Sequence, residues 1–580
     1  MKATTIIERR EVDLTQANFS TPIPDVLQRI YLGRGITSDA EIENNLQNLL
    51  TPTVLKGLEK SVALLKAAVT QQQRVLIIGD FDADGATSCA LAVLALKAMG
   101  LDSVDYLVPN RFEFGYGLTP EIVNVAKGYK PDVIITVDNG ISSIDGVDAA
   151  KTLGIRVVVT DHHLPGDQLP NADAIVNPNQ HGCDFPSKNL AGVGVIFYVM
   201  TSLRTALREA SWFQQKNIPQ PNMADYLDLV AVGTVADVVP LDHNNRVLVH
   251  HGLQRIRVGR ARAGILALVE VANRKFNNIV ATDLGFVIGP RLNAAGRLDD
   301  ISLGIQCLLT DSTDLAREMA IELDDLNRDR KAIEGSMQEE ALKTLNALHL
   351  NEDQELPWGY CLYDPTWHQG VIGILASRIK DRIHRPVIAF AEAGEGEIKG
   401  SARSIEGLHI RDVLDEVAAK NPGLVTKFGG HAMAAGLTLS EENYPAFQKA
   451  FDGVVREKLT EKNLQARLLT DGTLEEDDLS LKLAELLRDA GPWGQHFPEP
   501  LFDGEFYLQQ QRIVGQKHLK MVLSATEKSQ IIFDAIAFNI DTDEWPNMDA
   551  KKVRLVYKLD VNEFRGRRSL QLMVNHIEAI

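Results

Sequence analysis

Residues 75–88 read VLIIGDFDADGATS, in which an apolar run leads directly into three closely spaced aspartates. The run VLIIG is continuously apolar, which is typical of a strand buried on both faces of a parallel sheet. Aspartates then occupy the alternate positions Asp80, Asp82 and Asp84. In an extended segment such side chains share one face at about 6 to 7 Å spacing, so their charges repel one another unless a cation lies among them.

Short apolar runs and helical segments continue to alternate after this stretch. VIITV and RVVVT are typical of further buried strands, and ATSCALAVLALKAMG is typical of a buried helix. TPEIVNVAKG predicts another helix, with Thr119 as its N-cap and Pro120 at the first helical position. The alternation predicts an α/β domain with a doubly wound parallel sheet, whose ligands bind at the carboxyl ends of the strands.

Acidic residues follow four of the apolar runs. VLIIG leads to Asp80, VIITV to Asp138, RVVVT to Asp161 and LDLVAVGTVA to Asp237. We expect these runs to end at one edge of the sheet, so that carboxylates from distant segments converge there. An alternative interpretation as helix N-caps and turn residues fits Asp84 and could fit Asp237, but it does not explain four such ends together.

The types of side chain indicate which metal such an edge would bind. Aspartates, with imidazoles from the DHH triplet at 161–163 and no thiolate, suit Mn²⁺ or Mg²⁺ better than structural zinc. Five or six ligands are too many for one ion that keeps open positions. We therefore expect two divalent ions about 3.5 to 4 Å apart, bridged by a shared aspartate. Hydrolysis of a phosphate ester is the expected chemistry.

Several motifs carry a family resemblance. GDFDADGATS, VDNGISS, TDHHLPG and GTVADVVPL resemble, in this order, the four motifs of the DHH phosphoesterase superfamily. PNRFEFGYGL, NPNQHGCDFPSKNLAGVGV, GPRLNAAGRLDD, WHQGVIGILASRI, KGSARS and FGGHAMAAGL more narrowly resemble the RecJ family of single-strand-specific 5'→3' exonucleases, and the similarity extends along the whole chain. The resemblance implies release of 5'-mononucleotides from single-stranded DNA, in recombination and repair.

The resemblance also implies roles for individual residues. The implied metal ligands are Asp80, Asp82, Asp84, Asp138, His162 and Asp237. Asp161 would orient His162 through the second nitrogen of the imidazole. His163 would donate a hydrogen bond to a non-bridging oxygen of the scissile phosphate.

Two further segments carry candidate substrate contacts. In PNRFEFGYG, Arg111 could bind a phosphate, while Tyr116 or Phe112 could stack on a base; the aromatic residues could equally be core residues of a lid. In GPRLNAAGRL, which we expect to be a loop, Arg291 and Arg297 could bind a second phosphate or the end of the strand.

The other candidates lie in the second half of the chain. HQGVIGILASRIKDRIHRPVIAF predicts a turn, a helix and a strand, with glycines at a helix N-terminus suited to phosphate and Arg378 later in the helix. Arg403, Gly429, Gly430 and His431 are similar to the substrate-contacting motifs of the DHH-associated domain, although a tight turn with a capping histidine would also explain the last three.

The sequence predicts five regions. These are an N-terminal cap (1–50), a DHH domain (51–310), a long connecting helix (311–350), a smaller α/β DHH-associated domain (351–460) and a C-terminal β-barrel of the oligonucleotide-binding (OB) type (465–580). The active cleft would lie between two lobes. The barrel either binds DNA or braces the lobes, and its candidate DNA contacts are Arg512, Lys517, Lys520, Arg565 and Arg568.

Composition limits the class of protein. The 580 residues carry a net charge of −18, which argues against a broad basic face that coats duplex DNA. No stretch offers the roughly 20 apolar residues of a membrane span, and MKATTIIERREVD lacks the apolar core of a signal peptide, so we expect a cytoplasmic protein without membrane contact. Four cysteines without metal-ligand spacing are expected to be buried and reduced.

Three functional classes follow from these features. The first is a metal-dependent exodeoxyribonuclease for single-stranded DNA. The second, a DHH phosphoesterase for small substrates, would need neither a barrel nor a connecting helix. The third, a non-catalytic binding protein, would not need the acidic residues. The resemblance further implies a single-strand binding protein and a RecQ-type helicase as partners, and we expect a monomer.

Overall fold

The computed structural model describes residues 5–20, 22–108, 117–349, 357–540, 542 and 544–580, without the side chains of 344–349. The chain forms two compact units. The large unit comprises Arg10–Asn327 and Asp471–Ile580, and the small unit comprises Met1–Arg9 and Arg328–Thr470. Of the helices in these ranges, none combines the length and apolar character needed to cross a bilayer.

The large unit contains the predicted parallel sheet. Its five strands lie in the spatial order Val104–Leu107, Val75–Gly79, Val133–Val137, Arg156–Thr160 and Ala174–Val176, and every neighbouring pair is parallel. All residues of Val75–Gly79 and Val133–Val137 are buried, because helices cover both faces of the sheet. The α/β fold predicted from the alternation of apolar runs is confirmed.

Helices surround this sheet. Thr119 caps the helix that starts at Pro120, as predicted, by accepting a hydrogen bond from the N–H of Ile122. The helices of the large unit are Asp25–Leu32, Leu58–Thr70, Ala83–Ala98, Pro120–Ala126, Ile144–Thr152, Gly192–Glu209, Trp212–Lys216, Leu227–Ala236, His243–Arg257, Ala263–Val271, Ala281–Asp283, Gly289–Leu298, Ser302–Leu309 and Leu481–Asp489, and a π-helical turn spans Leu284–Ile288.

Two segments differ from the sequence prediction. LDLVAVGTVA, interpreted as an apolar run ending at the sheet edge, is the helix Leu227–Ala236, so Asp237 follows a helix and not a strand. This helix is buried almost all round, and periodicity does not distinguish such a helix from a buried strand. GPRLNAAGRL, predicted as a loop, is the helix Gly289–Leu298, whose glycines permit close packing.

The long connecting helix is observed as Thr313–His349 and runs from the large unit into the small unit. Ala316, Ala320 and Leu323 form part of its buried stripe. The four cysteines are free and buried, as expected.

The small unit contains a mixed five-stranded sheet in the order Lys427–Gly430, Ala434–Ser440, Glu397–Arg403, Val387–Gly394 and Tyr360–Tyr363. Only the last pair is parallel, which gives the smaller α/β domain that was predicted. Its helices after the connecting helix are Ile372–Ile383, Ile410–Lys420 and Tyr444–Lys458. Thr5–Arg9 pairs in parallel with Ala466–Thr470 to form a separate two-stranded sheet.

The C-terminal part of the large unit is a closed five-stranded barrel. Its order is Phe502–Val514, His518–Ser524, Phe533–Ala537, Arg567–Ala579 and Lys552–Phe564, and the last strand pairs with the first. The pair Phe533–Ala537 and Arg567–Ala579 is parallel, whereas the other pairs are antiparallel. The predicted OB-type barrel is confirmed.

A buried ion pair connects the N-terminal segment to the start of the barrel segment. The Nη1 of Arg34 lies 2.7 Å from the Oδ1 of Asp471, and both side chains are at most 2% exposed. Asp471 also accepts the N–H of Leu501 at 3.0 Å, and the Arg34 guanidinium stacks over Trp493. Because removing one member would leave a buried charge without its counter-ion, these contacts fix the barrel segment to the rest of the unit.

Candidate metal centre

The loop between the first buried strand and its helix carries three aspartates. Asp82 is the N-cap of the helix Ala83–Ala98, and its Oδ1 accepts the N–H groups of Asp84 at 2.9 Å and Gly85 at 3.0 Å. The extended spacing expected for all three residues is therefore wrong, because the chain turns into the helix at Asp82. Asp80 directly follows the strand, and its Oδ1 accepts the N–H of Phe81 at 2.8 Å.

The Asp84 carboxylate is bound by a second helix. Its Oδ2 accepts the N–H of Gly192 at 2.6 Å, and its Oδ1 accepts the N–H of Val193 at 2.9 Å. Both donors lie at the N-terminus of Gly192–Glu209, where the helix dipole favours a negative charge. Burial and the charge of Asp82 nevertheless raise the pKa of Asp84 to about 7. Sequence reasoning gave no role to this helix N-terminus.

Asp138 adopts a backbone conformation that is uncommon outside glycine. It directly follows the strand Val133–Val137, has a φ of 62° and is 2% exposed. Gly192 lies so close that a Cβ there would sit 2.6 Å from the Cβ of Asp138. A residue held in such a conformation requires support from its surroundings, and such residues cluster at functional sites.

The DHH triplet follows the strand Arg156–Thr160. The Nε2 of His162 lies 3.1 Å from the Oδ1 of Asp138 and 3.4 Å from the Oδ2 of Asp237. Asp161 was expected to orient His162, but its Oδ1 instead contacts the Nδ1 of His163 at 2.7 Å. The prediction was wrong because the turn after the strand brings the ring of His163, not that of His162, back onto the Asp161 carboxylate.

The pair formed by Asp161 and His163 has an unusual protonation balance. Burial favours neutral Asp161, but the hydrogen bond and charge of His163, the charge of His162 and the N–H of Ile141 lower its pKa. Burial likewise favours neutral His163, but its hydrogen bond to Asp161 and the charges of Asp161, Asp237 and Asp80 raise its pKa to about 9. These neighbours therefore favour the protonated form of His163 at neutral pH.

Asp237 reaches the same place from the C-terminal end of Leu227–Ala236. The next residue, Val238, has a φ of 61°, which is a true outlier for a β-branched side chain. A helix end followed by this strained residue turns the Asp237 carboxylate toward His162.

Possible ligand atoms converge in three overlapping groups, within each of which all atoms lie within 4.8 Å of one another. The groups are Asp138, His162 and His163; Asp84, His162 and Asp237; and Asp80, Asp82 and Asp138. Burial, together with the charges of neighbouring aspartates, raises the pKa of Asp138 and of Asp237 well above the usual value. Such a set of oxygen and imidazole donors fits divalent cations, since bound positive charge would relieve the repulsion.

Comparisons with known proteins agree with this geometry. The N-terminal domain of the DHH family matches residues 74–234, the DHHA1 domain matches 358–457, and the RecJ OB domain matches 470–576. Over 577 residues the chain is 55% identical to the single-stranded-DNA-specific exonuclease RecJ of Escherichia coli (strain K12), with 100% of both chains covered. The chain belongs to the RecJ family.

Two solved RecJ structures extend the comparison. RecJ of Thermus thermophilus in complex with Mn²⁺ matches with a TM-score of 0.79 and 28% identity, over 99% of this chain and 80% of that one. The Mg²⁺ complex from the same organism matches with a TM-score of 0.74 and 26% identity, over 99% and 78%. The predictions of a metal-dependent nuclease and of Mn²⁺ or Mg²⁺ as cofactor are confirmed.

Sequence reasoning missed several residues that shape this RecJ-family site. The Oδ1 of Asn293, in the helix Gly289–Leu298, accepts the N–H of Ala83 at 2.7 Å. A Cβ on Gly296 would lie 2.0 Å from the carbonyl oxygen of Phe81, so the same helix packs directly against the aspartate loop. Asn179 donates to the carbonyl of His162 at 2.6 Å. In the sequence, Asn293, Gly296 and Asn179 are distinguished only by lying within the motifs quoted above.

The other candidates of the large unit have different surroundings. Arg111 and Tyr116, with Phe112, lie outside the described residues. Arg291 forms an ion pair of 2.7 Å with Asp324 and donates to the carbonyl of Val287. Arg297 lies in the last turn of the helix Gly289–Leu298.

Candidates in the small unit differ in exposure. Arg378 forms an ion pair of 2.9 Å with Glu334, so a phosphate would have to compete for it. Gly430 approaches the adjacent strand closely, since a Cβ there would lie 2.4 Å from the Cα of Ala435, whereas Gly429 faces open space. His431 is exposed, and its N–H donates to Ala434.

Two of the barrel candidates are already paired with carboxylates. Lys520 lies 3.4 Å from Asp534, and Arg568 lies 2.7 Å from Glu485. Arg565 stacks over Phe564 at the turn between the strands Lys552–Phe564 and Arg567–Ala579. The remaining barrel candidates are Arg512, which pairs in register with Lys520, and Lys517.

Gly192→Ala should disrupt the metal centre. The new methyl group would meet Asp138 and disturb the helix N-terminus that binds Asp84. We expect Mn²⁺ affinity, measured by titration calorimetry, and nuclease activity each to fall at least tenfold. The matched control is Gly194→Ala in the same helix, where the nearest atom is the movable Cδ2 of Leu190. Equal Mn²⁺ affinity in both variants would contradict the prediction.

Asn293→Ala should weaken Mn²⁺ binding without unfolding the protein. The N–H of Ala83 would lose its acceptor, at a cost of about 1 to 3 kcal/mol, and the aspartate loop would be less firmly held. Asn124→Ala, at an exposed position away from this loop, is the control. An Mn²⁺ titration that gives the same affinity for both variants would show that Asn293 does not support the site.

Proposed function

We propose that the chain degrades single-stranded DNA from its 5' end, releases 5'-mononucleotides by two-metal hydrolysis and acts in recombination and repair. The observation that carries the proposal is the convergence of Asp80, Asp82, Asp84, Asp138, His162 and Asp237 at one edge of the sheet. The relatives and the RecJ structures named above support the substrate class. We also propose the domain limits 1–50, 51–310, 311–350, 351–460 and 465–580 that the sequence predicts.

Asp138 is the candidate for the aspartate shared between two ions. Possible ligand atoms of Asp138 lie close to that of His162 in one group and to those of Asp80 and Asp82 in another, so its carboxylate could contribute to both ion sites. Asp84, His162 and Asp237 form the remaining group. When bound, two divalent ions supply an activated water and neutralise charge on the attacked phosphoryl group.

His163 is the candidate donor to the scissile phosphate. Its Nδ1 is occupied by Asp161, and the raised pKa of the ring keeps a proton on Nε2 at neutral pH. A protonated imidazole can donate a charge-assisted hydrogen bond to a non-bridging oxygen, where negative charge grows in the transition state. Asp161 would then act by holding the orientation and charge of His163.

Arg403 is the candidate for binding the 5'-terminal phosphate. Its Nη1 donates to the carbonyl of Ala402 and to the Oγ of Ser401, and no carboxylate among the described residues forms an ion pair with it. A Cβ on Gly373, in the first turn of Ile372–Ile383, would lie 2.8 Å from its Nη2. A half-buried guanidinium beside a helix N-terminus can bind phosphate. Burial also lowers the pKa of Arg403, which an anionic ligand would reverse.

Partners and cellular context are proposed on the family resemblance alone. We propose a cytoplasmic monomer that acts with a single-strand binding protein and a RecQ-type helicase. The barrel would contribute binding to longer strands through Arg512, Lys517 and Arg565, while Lys520 and Arg568 would first have to leave their carboxylate partners.

A digest of end-labelled DNA tests the proposed activity. We expect Mn²⁺- or Mg²⁺-dependent release of labelled mononucleotide from a 5'-labelled single strand, with a blunt duplex resistant and chelation abolishing the reaction. Asp138→Asn should lower the rate at least 1000-fold and keep strand binding, since only the shared metal ligand changes. Asp148→Asn, at an exposed helix position, is the control. Release that begins at a 3' label, or an active Asp138→Asn variant, would overturn the proposal.

Arg403→Gln should remove discrimination in favour of a 5'-phosphate. A charged hydrogen bond contributes about 1.5 to 3 kcal/mol, so we expect KM for a 5'-phosphorylated strand to rise about tenfold or more. KM for the same strand with a 5'-hydroxyl should change little. Arg411→Gln, an exposed arginine of the same unit, is the control. A parallel rise in both KM values would show that Arg403 supports the fold and not the terminal phosphate.

A further inference from the structure

The π-helical turn Leu284–Ile288 carries an exposed aromatic ring and packs against the helix that ends directly before Asp237. Phe286 is 78% exposed, whereas Leu284, Val287 and Ile288 in the same turn are buried. π-helical turns are rare in proteins and occur frequently at functional sites. A single exposed apolar residue is ordinary in a folded protein. Phe286 differs because its turn packs against the segment that carries Asp237.

Packing places the turn next to the segment that carries Asp237. A Cβ on Gly285 would lie 3.3 Å from the Cγ1 of Val235, and one on Gly289 would lie 3.0 Å from the Cβ of Ala236. These contacts fix the turn against the last residues of Leu227–Ala236, directly before Asp237. The turn therefore lies at the rim of the metal centre.

Two further contacts hold the turn firmly. Arg291 donates to the carbonyl of Val287 at 2.6 Å and is itself fixed by its ion pair with Asp324. The helix that continues from the turn reaches the aspartate loop through Asn293, which binds the N–H of Ala83. An exposed ring on a backbone anchored at both sides of the metal centre loses little freedom when a flat ligand binds to it.

A second apolar side chain is exposed directly after Asp237. Val238, next to Asp237, is 61% exposed and has the strained φ of 61°. The rim thus offers apolar surface where phosphate recognition alone would need only cations and N–H groups.

We propose that Phe286 stacks on an unpaired base of the single-stranded substrate near the cleavage site. The inference rests on the proposed function and adds to it a contact to a base. Stacking on an aromatic ring tolerates every base, because each base has a π-face. A contact of this kind suits an enzyme that degrades strands of any sequence, because hydrogen bonds to base edges would favour particular bases.

The test uses the full chain and single strands that each carry one abasic nucleotide at a different distance from the 5' end. In the parent protein we expect one position at which the abasic nucleotide raises KM by about 5- to 100-fold. Phe286→Ala should raise KM for the intact strand by a similar factor and remove this sensitivity, so that the two changes are not additive. Phe286→Trp should retain the sensitivity, because it keeps a flat aromatic face.

Binding without cleavage gives a second readout. In the Asp138→Asn background, 2-aminopurine at the sensitive position should lose fluorescence on binding, and Phe286→Ala should restore it. Phe276→Ala is the matched control, since Phe276 is 47% exposed in the same unit but lies next to Lys275, which contacts Glu563 of the barrel. It should retain the parent's pattern.

The outcomes separate this inference from the proposed function. If the parent degrades single strands and Phe286→Ala keeps the same abasic-sensitive position and the same KM, the stacking contact is wrong while the nuclease proposal stands. A parent protein that binds Mn²⁺ but does not degrade single strands would overturn both.

Discussion

Mutual repulsion among buried carboxylates is the constraint on which the rest of this structure depends. Asp84 and Asp138 are almost fully buried. Possible ligand atoms of these two residues and of Asp237 all lie close to His162. Burial and mutual charge raise the pKa values of all three carboxyls, so the cluster is unfavourable in its ionised form. The fold must therefore hold these groups together against their repulsion until cations bind.

Specific backbone features supply that support. The N-terminus of Gly192–Glu209 donates two N–H groups to Asp84, and Gly192 leaves room for the Cβ of Asp138. Asp138 and Val238 both adopt positive φ values, although neither is glycine. Strain of about 1 to 3 kcal/mol at each such residue is tolerated only where surrounding packing fixes the chain. These contacts restrain the positions of the carboxylates, and catalysis by positioned charges depends on such restraint.

The sequence predicted those parts of the site that follow from local patterns. Continuous apolar runs identified the strands before Asp80, Asp138 and Asp161, because strands buried on both faces have a simple composition. The same pattern gave a wrong prediction before Asp237, because a helix buried on all sides is as continuously apolar as a buried strand. The partner of Asp161 could not be predicted, because it depends on how a turn of three residues directs two adjacent rings. The contact between Asn293 and Ala83 joins positions 210 apart in sequence, so no local pattern reveals it.

The contacts proposed for the substrate share a chemical character that agrees with the net charge of the chain. At −18 the protein has no general attraction for polyphosphate, so binding has to come from a few directed groups. Arg403 and the metal centre would bind phosphates, which every nucleotide carries. Phe286 would stack on the face of a base. In a duplex, neighbouring bases cover the face of each base, and pairing holds the base in the helix. Exposing that face costs less free energy in a single strand. A preference for single strands can therefore arise without any contact to a base edge, and it would be independent of sequence for the same reason.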